Sequence, residues 1–225
     1  ASPASDAGKP SNSSINPTIF DQRSPEFFRV VDGGKDGIPL VDIGAVERTT
    51  AASVSFHVVN GDNSRNTLLG ASREDLITGF EGDDTINGRG GNDVLRGGAG
   101  RENIFGGSGD DIIIGGGSGF GFSERDQLTG GGGRDTFVYE TTSDGNDIIF
   151  DFRVNQDLID LSKIFDGAEY TSDTPFEDYI RLGQAGENTR LRVGSIERDG
   201  QISFNTLATL QGVRTSDLTE SSFVL

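Results

Sequence analysis

Eight positions between Gly61 and Val138 have the residue types and spacing to hold a hard cation. They are Asn66, Asp75, Asp84, Asp93, Glu102, Asp111, Asp126 and Asp135. Each stands sixth in a nine-residue unit, and six extra residues in the unit that starts at Gly115 are the one break in the count. A glycine-rich stretch precedes each. An apolar side chain follows two residues later, at Leu68, Ile77, Ile86, Leu95, Ile104, Ile113, Leu128 and Phe137. Carboxylates without His or Cys beside them suit calcium, which takes six to eight oxygen ligands at about 2.3–2.6 Å.

A constant period means stacked units that cannot bury a core alone. The three residues around each apolar position read as a short strand. Its middle side chain points inward, because side chains alternate across a strand. The six residues before it must reverse the chain, and glycine enters φ > 0 without a steric cost. If each unit turns the chain half-way round, units n and n+2 stack about 4.8 Å apart. A calcium ion then fits between two stacked turns, held by both acidic residues and by turn carbonyls. The stacked pairs are Asn66 with Asp84, Asp75 with Asp93, Asp84 with Glu102, Asp93 with Asp111, Glu102 with Asp126, and Asp111 with Asp135. Asp147 keeps the same offset to Ile149 after a three-residue insertion, which adds a candidate Asp126–Asp147 gap. The alternative for Asp147, Asp151, Asp157 and Asp160 is a solvated acidic loop.

The unit Gly-Gly-x-Gly-x-Asp-x-(apolar)-x is met at every fixed position by residues 106–114 and 130–138. It resembles the RTX (hemolysin-type) calcium-binding nonapeptide. The resemblance implies a parallel β-roll holding several Ca2+ ions. It also implies main-chain ligands, with carbonyls at the first and third turn positions of one unit joining those at the second and fourth of its n+2 partner. The implied metal-binding set is Asp75, Asp84, Asp93, Glu102, Asp111, Asp126, Asp135 and Asp147. It extends to turn residues Gly79, Glu81, Gly88, Gly90, Gly91, Gly98, Gly100, Gly106, Gly107, Ser108, Gly109, Gly130, Gly131, Gly132 and Gly133. The best-formed gaps lie between 88–93 and 106–111 and between 106–111 and 130–135. The Glu102–Asp126 gap is the least regular, since Glu is one methylene longer than Asp and the insertion faces it.

Beyond the repeats, Asp135-Thr136-Phe137-Val138-Tyr139, Asp147-Ile148-Ile149-Phe150-Asp151-Phe152 and Asp157-Leu158-Ile159-Asp160-Leu161-Ser162 resemble the segment that closes the roll in serralysin-type secreted proteins. Residues 207–225 resemble their C-terminus, which in that family carries an uncleaved type I secretion signal. The implied partners are calcium and the type I secretion machinery, and the implied location is extracellular or at the cell surface.

Composition agrees. The 225 residues carry a formal charge of −17 and include 34 glycines. Backbone phosphates would repel such a chain, so nucleic acid is an unlikely partner on charge grounds. Cysteine is absent, which leaves no disulfide framework and no thiolate zinc site. No apolar run approaches the ~20 residues of a membrane helix, and no segment reads as a signal peptide. Methionine is also absent, which suggests a chain that begins inside a longer gene product or after processing.

The expected fold is all-β: a parallel β-roll with a β-rich C-terminal cap and a short N-terminal β module. Residues 1–19 read as a disordered tail or linker, 20–59 as short strands, 60–138 as the roll and 139–225 as the cap. Asp178–Gly183 and Thr189–Val193 read as a hairpin around Gly186-Glu187-Asn188. Phe28 to Glu47 resembles the last coil of right-handed β-helix surface proteins. Within it, residues 32–37 read as a plain turn, with a degenerate calcium loop as the alternative. His57 is the only histidine, so a paired-His zinc site cannot form, and it reads as structural. No Gly-x-Ser-x-Gly elbow or phosphate loop is present. The expected role is a non-catalytic module that folds on binding calcium and forms the C-terminal part of an exported protein. The alternatives are a structural or adhesive surface protein, and an accessory domain of an exported enzyme whose catalytic part lies upstream.

Overall fold

In the computed structural model, the described residues are 28–31, 40–43, 56–117, 125–167, 170–197 and 199–225. The chain divides into two units, 1–53 and 54–225. In the first, β1 (Phe28–Val31) and β2 (Leu40–Ile43) pair antiparallel. Most of the stretch resembling a β-helix coil lies outside the described residues, as do the tail 1–19 and the turn 32–37.

The second unit is built from the repeat. Strands β3 (His57–Asn60), β5 (Asp75–Glu81), β7 (Val94–Ala99), β9 (Ile112–Ile114), β11 (Thr136–Val138) and β13 (Leu158–Asp160) form one parallel sheet. Strands β4 (Thr67–Leu69), β6 (Thr85–Gly90), β8 (Asn103–Ser108), β10 (Gln127–Gly132) and β12 (Asp147–Ile149) form the other. Successive units therefore alternate between sheets, and n pairs with n+2: Leu68 with Ile86, Ile77 with Leu95, Ile86 with Ile104. The insertion does not disturb this register, since Leu128 pairs with Ile104 and Phe137 with Ile113.

The parallel stacking runs on past Val138. Ile149 pairs with Leu128 and Ile159 with Phe137, so residues that the sequence reading grouped with the cap add two more rungs. The interior is a ladder of one side chain per unit: Leu68, Ile77, Ile86, Leu95, Ile104, Ile113, Leu128, Phe137, Ile149 and Ile159, nearly all fully buried. Each is worth about 1.5–3 kcal/mol, but one anchor must order nine residues, so the turns need cohesion of their own.

The remainder closes both sheets. Two single-turn helices, α1 (Ser162–Phe165) and α2 (Pro175–Tyr179), lead into β14 (Ile180–Ala185) and β15 (Asn188–Ile196). These two strands make the expected antiparallel hairpin across Gly186-Glu187. Next, β16 (Ile202–Leu210) pairs antiparallel with β15 and parallel with β12. Finally β17 (Phe223–Val224) adds parallel to β13. Leu161, Ile164, Leu191, Val193, Leu207, Leu210, Leu218 and Phe223 continue the ladder as one apolar core.

Candidate metal centre

Each turn of the roll presents its sixth residue to the turn stacked beside it. One carboxylate oxygen of the n+2 residue accepts the main-chain N–H of the sixth residue of unit n. These bonds run from Asp75 to Asp93 (2.8 Å), Asp93 to Asp111 (2.9 Å) and Asp111 to Asp135 (3.1 Å) on one edge. On the other edge they run from Asn66 to Asp84 (2.7 Å), Glu102 to Asp126 (2.8 Å) and Asp126 to Asp147 (3.0 Å). The bond fixes each of these carboxylates, and the second oxygen faces the next turn along the row, whereas Glu102 accepts no such bond from Asp84.

In the middle of the roll that second oxygen has no donor. Oδ2 of Asp84, Asp93, Asp111 and Asp147 and both carboxylate oxygens of Glu102 are buried without a hydrogen bond. Buried polar atoms are seldom left this way. The first glycine of each turn shows what surrounds them. A Cβ on Gly79 would collide with Asp84 Oδ2 and with the Gly97 carbonyl of the stacked turn. Gly88 is enclosed in the same way by Asp93 and Gly106, and Gly106 by Asp111 and Gly130.

Second- and fourth-position carbonyls of unit n point at the n+2 turn. Those of Phe80 and Gly82 crowd Gly98 and Gly100, those of Arg89 and Gly91 crowd Gly107 and Gly109, and those of Gly107 and Gly109 crowd Gly131 and Gly133. These positions have φ between +97° and +140°, a region suited to glycine. Phe80 and Arg89 adopt it with side chains, at +80° and +74°. Third positions differ: Gly90, Ser108 and Gly132 have ordinary φ. The carbonyls of Ala99, Ser108 and Gly132 accept the N–H of Gly82, Gly91 and Gly109 at 2.8, 2.9 and 2.6 Å. Two carboxylates and several inward carbonyls thus bound each central gap, an all-oxygen donor set that fits calcium. Among the described residues no three acidic or imidazole side chains converge on one point, so main-chain oxygens make up most of the set.

The electrostatics point the same way. Burial, with neighbouring carboxylates adding to it, raises Asp93 to about 7 and Asp111 to about 8. Burial also raises Asp84, and it raises Glu102 strongly, with Asp126 beside it adding to the shift. Asp147 is pushed well up by burial and then by the charge of Asp126. These groups carry charge comfortably only with a cation between them.

The ends of the rows differ from the middle. Asp75 has both oxygens engaged, one by His57 Nδ1 at 2.6 Å and the other by the Ala71 amide at 2.6 Å. His57 sits opposite Asp75 in the strand register, so its place is the end of the row. Asn66 Oδ1 accepts the Asp62 amide at 2.7 Å. At the far end Asp157, for which the sequence reading kept a solvated acidic loop as the alternative, takes the sixth place opposite Asp135. Its Oδ1 accepts the Asp135 amide at 3.1 Å. The offset Asp157-x-Ile159 is the signal that marked it. Asp126, at the edge of the undescribed segment 118–124, is buried, and its Oδ2 faces Gly115.

This is the architecture of a calcium-type repeat roll, and sequence comparison agrees. Residues 60–95 match the RTX calcium-binding nonapeptide repeat. Residues 83–206, more than half of the chain, match the serralysin C-terminal family of M10 peptidases, and the chain belongs to that family. No curated protein matches the chain. Among solved structures it is similar to two modules of the Azotobacter vinelandii mannuronan C5-epimerase. The AlgE6R3 module is 25% identical, with 73% of this chain and 80% of that one covered and a TM-score of 0.42. For AlgE6R2 the values are 24%, 77%, 94% and 0.44. The extracellular lipase LipA of Serratia marcescens is 16% identical, with 80% of this chain and 42% of that one covered and a TM-score of 0.32. The chain therefore carries RTX calcium-binding repeats and a serralysin-type C-terminal region, both non-catalytic classes that imply a secreted protein. None of the described helices is long and apolar enough to cross a membrane.

Proposed function

We propose that this chain is a calcium-triggered folding module that serves as the C-terminal export region of a larger protein leaving the cell by type I secretion. The unpartnered carboxylate oxygens of Asp84, Asp93, Glu102 and Asp111, each in a gap bounded by main-chain carbonyls, carry this reading, and Asp147 adds a further buried, unpartnered oxygen. Calcium bound there removes the repulsion between stacked carboxylates, and its binding free energy is also folding free energy. Asp126 and Asp135 complete the stacked pairs, and the turn residues supply the remaining oxygens. Extracellular calcium modules bind at about 10⁻⁴–10⁻³ M, far above cytosolic calcium. The roll would stay unfolded and threadable inside the cell and fold outside it. The C-terminal strands β16 and β17 pair with β12 and β13, so an export signal in residues 207–225 is accessible only before the roll closes.

The test is a calcium titration of the chain followed by circular dichroism and hydrodynamic radius. The expected result is a cooperative gain of β-structure with compaction, reversed by chelator. Equal magnesium should not reproduce it, because bonds of about 2.0–2.1 Å do not span the gap. A roll equally folded in excess chelator would overturn the reading.

A further inference from the structure

One gap in the roll already contains a cation. It lies between the turn 130–135 and the turn 152–157, where Asp157 stands opposite Asp135. The Arg153 guanidinium donates to the Gly133 carbonyl, to Asp135 Oδ2 at 3.1 Å and to Asp157 Oδ1 at 3.2 Å. Its Nε reaches Asp157 Oδ2 at 3.4 Å, and the Arg153 amide donates to the same oxygen at 2.7 Å. In the central gaps the corresponding atoms are the fourth-position carbonyl of unit n, the second carboxylate oxygen of unit n and the carboxylate of unit n+2. The oxygen that lacks a donor in Asp84, Asp93 and Asp111 is thus supplied with one in Asp135. Gly133 O also accepts from Gln156 Nε2 at 2.8 Å.

We propose that Arg153 is a resident cation that closes this row of carboxylates in place of a metal ion, so that the Asp135–Asp157 gap takes no calcium. A guanidinium is permanently charged, and its planar fork of donors suits two carboxylates and a carbonyl. It neutralises one charge of the pair and fills the volume that a calcium ion would need. A divalent ion would have to displace it from two carboxylates against mutual repulsion. The other row ends differently. Among the described residues no Lys or Arg side chain is hydrogen-bonded to Asp147, whose Oδ2 is buried with the Tyr139 hydroxyl beside it. One edge of the roll is closed by its own side chain, while the other is left to the metal.

The inference rests on the reading that calcium fills the central gaps. The experiment counts calcium bound at saturation, by equilibrium dialysis of the full chain, for the wild type, Arg153→Ala and Arg153→Lys. Arg153→Ala is expected to bind one more ion per chain than the wild type, and Arg153→Lys the wild-type number. A folded Arg153→Ala chain with an unchanged count overturns the proposal. So does an Arg153→Lys chain that gains an ion. If Arg153→Ala does not fold at any calcium concentration, Arg153→Lys decides. Folding with the wild-type count supports a resident cation, and failure to fold overturns it. A wild type that binds no calcium would instead sink the functional reading, and this inference with it.

Discussion

The amide of Asp126 donates to Asp147 Oδ1 at 3.0 Å, the bond that the Asp75 amide makes to Asp93 at 2.8 Å. The first pair is 21 residues apart and the second 18. Three additional residues are absorbed in the loop after Val138 without moving the carboxylate out of line. Strand register, fixed by Leu128 against Ile149, sets the position of the acid, and the turn adapts. A row of cation gaps can therefore outlast the glycine repeat that identifies it.

Asp111 belongs to two gaps, facing Asp93 and Asp135, and its Oδ2 has no donor. Asp75 has both oxygens satisfied by protein groups. At fixed, near-saturating calcium, Asp111→Asn should lower the unfolding midpoint more than Asp75→Asn. A difference of about 2 kcal/mol would separate the midpoints by about 4–8 °C. Stacked units share neighbours, so the loss spreads along the roll. Equal midpoints in thermal unfolding would contradict this pairing.

Two glycines of one sequence pattern should respond oppositely to alanine. Gly107 has φ +115°, and a Cβ there would strike the Arg89 backbone. Gly90 has ordinary φ, and its nearest neighbour would be Ser108 O at 3.7 Å. Gly107→Ala should cost at least about 1–3 kcal/mol. Gly90→Ala should be neutral or stabilise by about 0.4–1 kcal/mol, by restricting the unfolded chain. Thermal unfolding in calcium checks both, and similar losses would mean that the third turn position is as constrained as the second.

Without calcium, acidification should favour the roll. Burial, opposed by main-chain hydrogen bonds and reinforced by nearby carboxylates, raises Asp135 to about 6, Asp93 to about 7 and Asp111 to about 8. A raised carboxyl binds its proton more tightly in the folded state. Its contribution is complete below the ordinary value of 3.8 and is lost as pH rises through the folded value. Glu140 sets a lower limit. Burial would raise it, but hydrogen bonds from Arg96 and Lys163 hold it at about 2, so its contribution is lost only as pH falls below its ordinary 4.5. In excess chelator, β-structure should be greatest near pH 4–5 and decline up to about pH 8. With calcium the trend should reverse, because protons compete with the metal. A flat circular-dichroism profile in chelator would refute this.

The repeat was legible because one local rule, acid then apolar residue two places on, recurs in every unit from Asp75 to Asp135 and fixes both the interior ladder and the n/n+2 pairing. Asp157 and Arg153 were harder to see. Their turn has lost its glycines, and Asn155 at φ +65° takes the fourth-position conformation instead. Arg153 stands at the second turn position, and nothing in its flanking residues says that its side chain enters a gap between turns. Pairing of β16 with β12 and of β17 with β13 is also silent locally, since each joins segments separated by dozens of residues. The glycine pattern alone did not separate strained turn positions from permissive ones. That distinction depends on which carbonyl lies against which Cα.

Alternation of successive units between two sheets makes the roll a two-fold screw. Removing one nine-residue unit would rotate everything on its N-terminal side by half a revolution about the axis, placing His57 in line with Asp147 instead of Asp157. Removing two would preserve the facing and shorten the screw by one strand spacing, about 4.8 Å. The length of such a roll can thus change without reorienting its ends only in steps of 18 residues, the separation of Asp75 from Asp93. Insertions of other sizes are tolerated where the flanking strands keep their register, as they do on either side of the six residues added beyond Gly115.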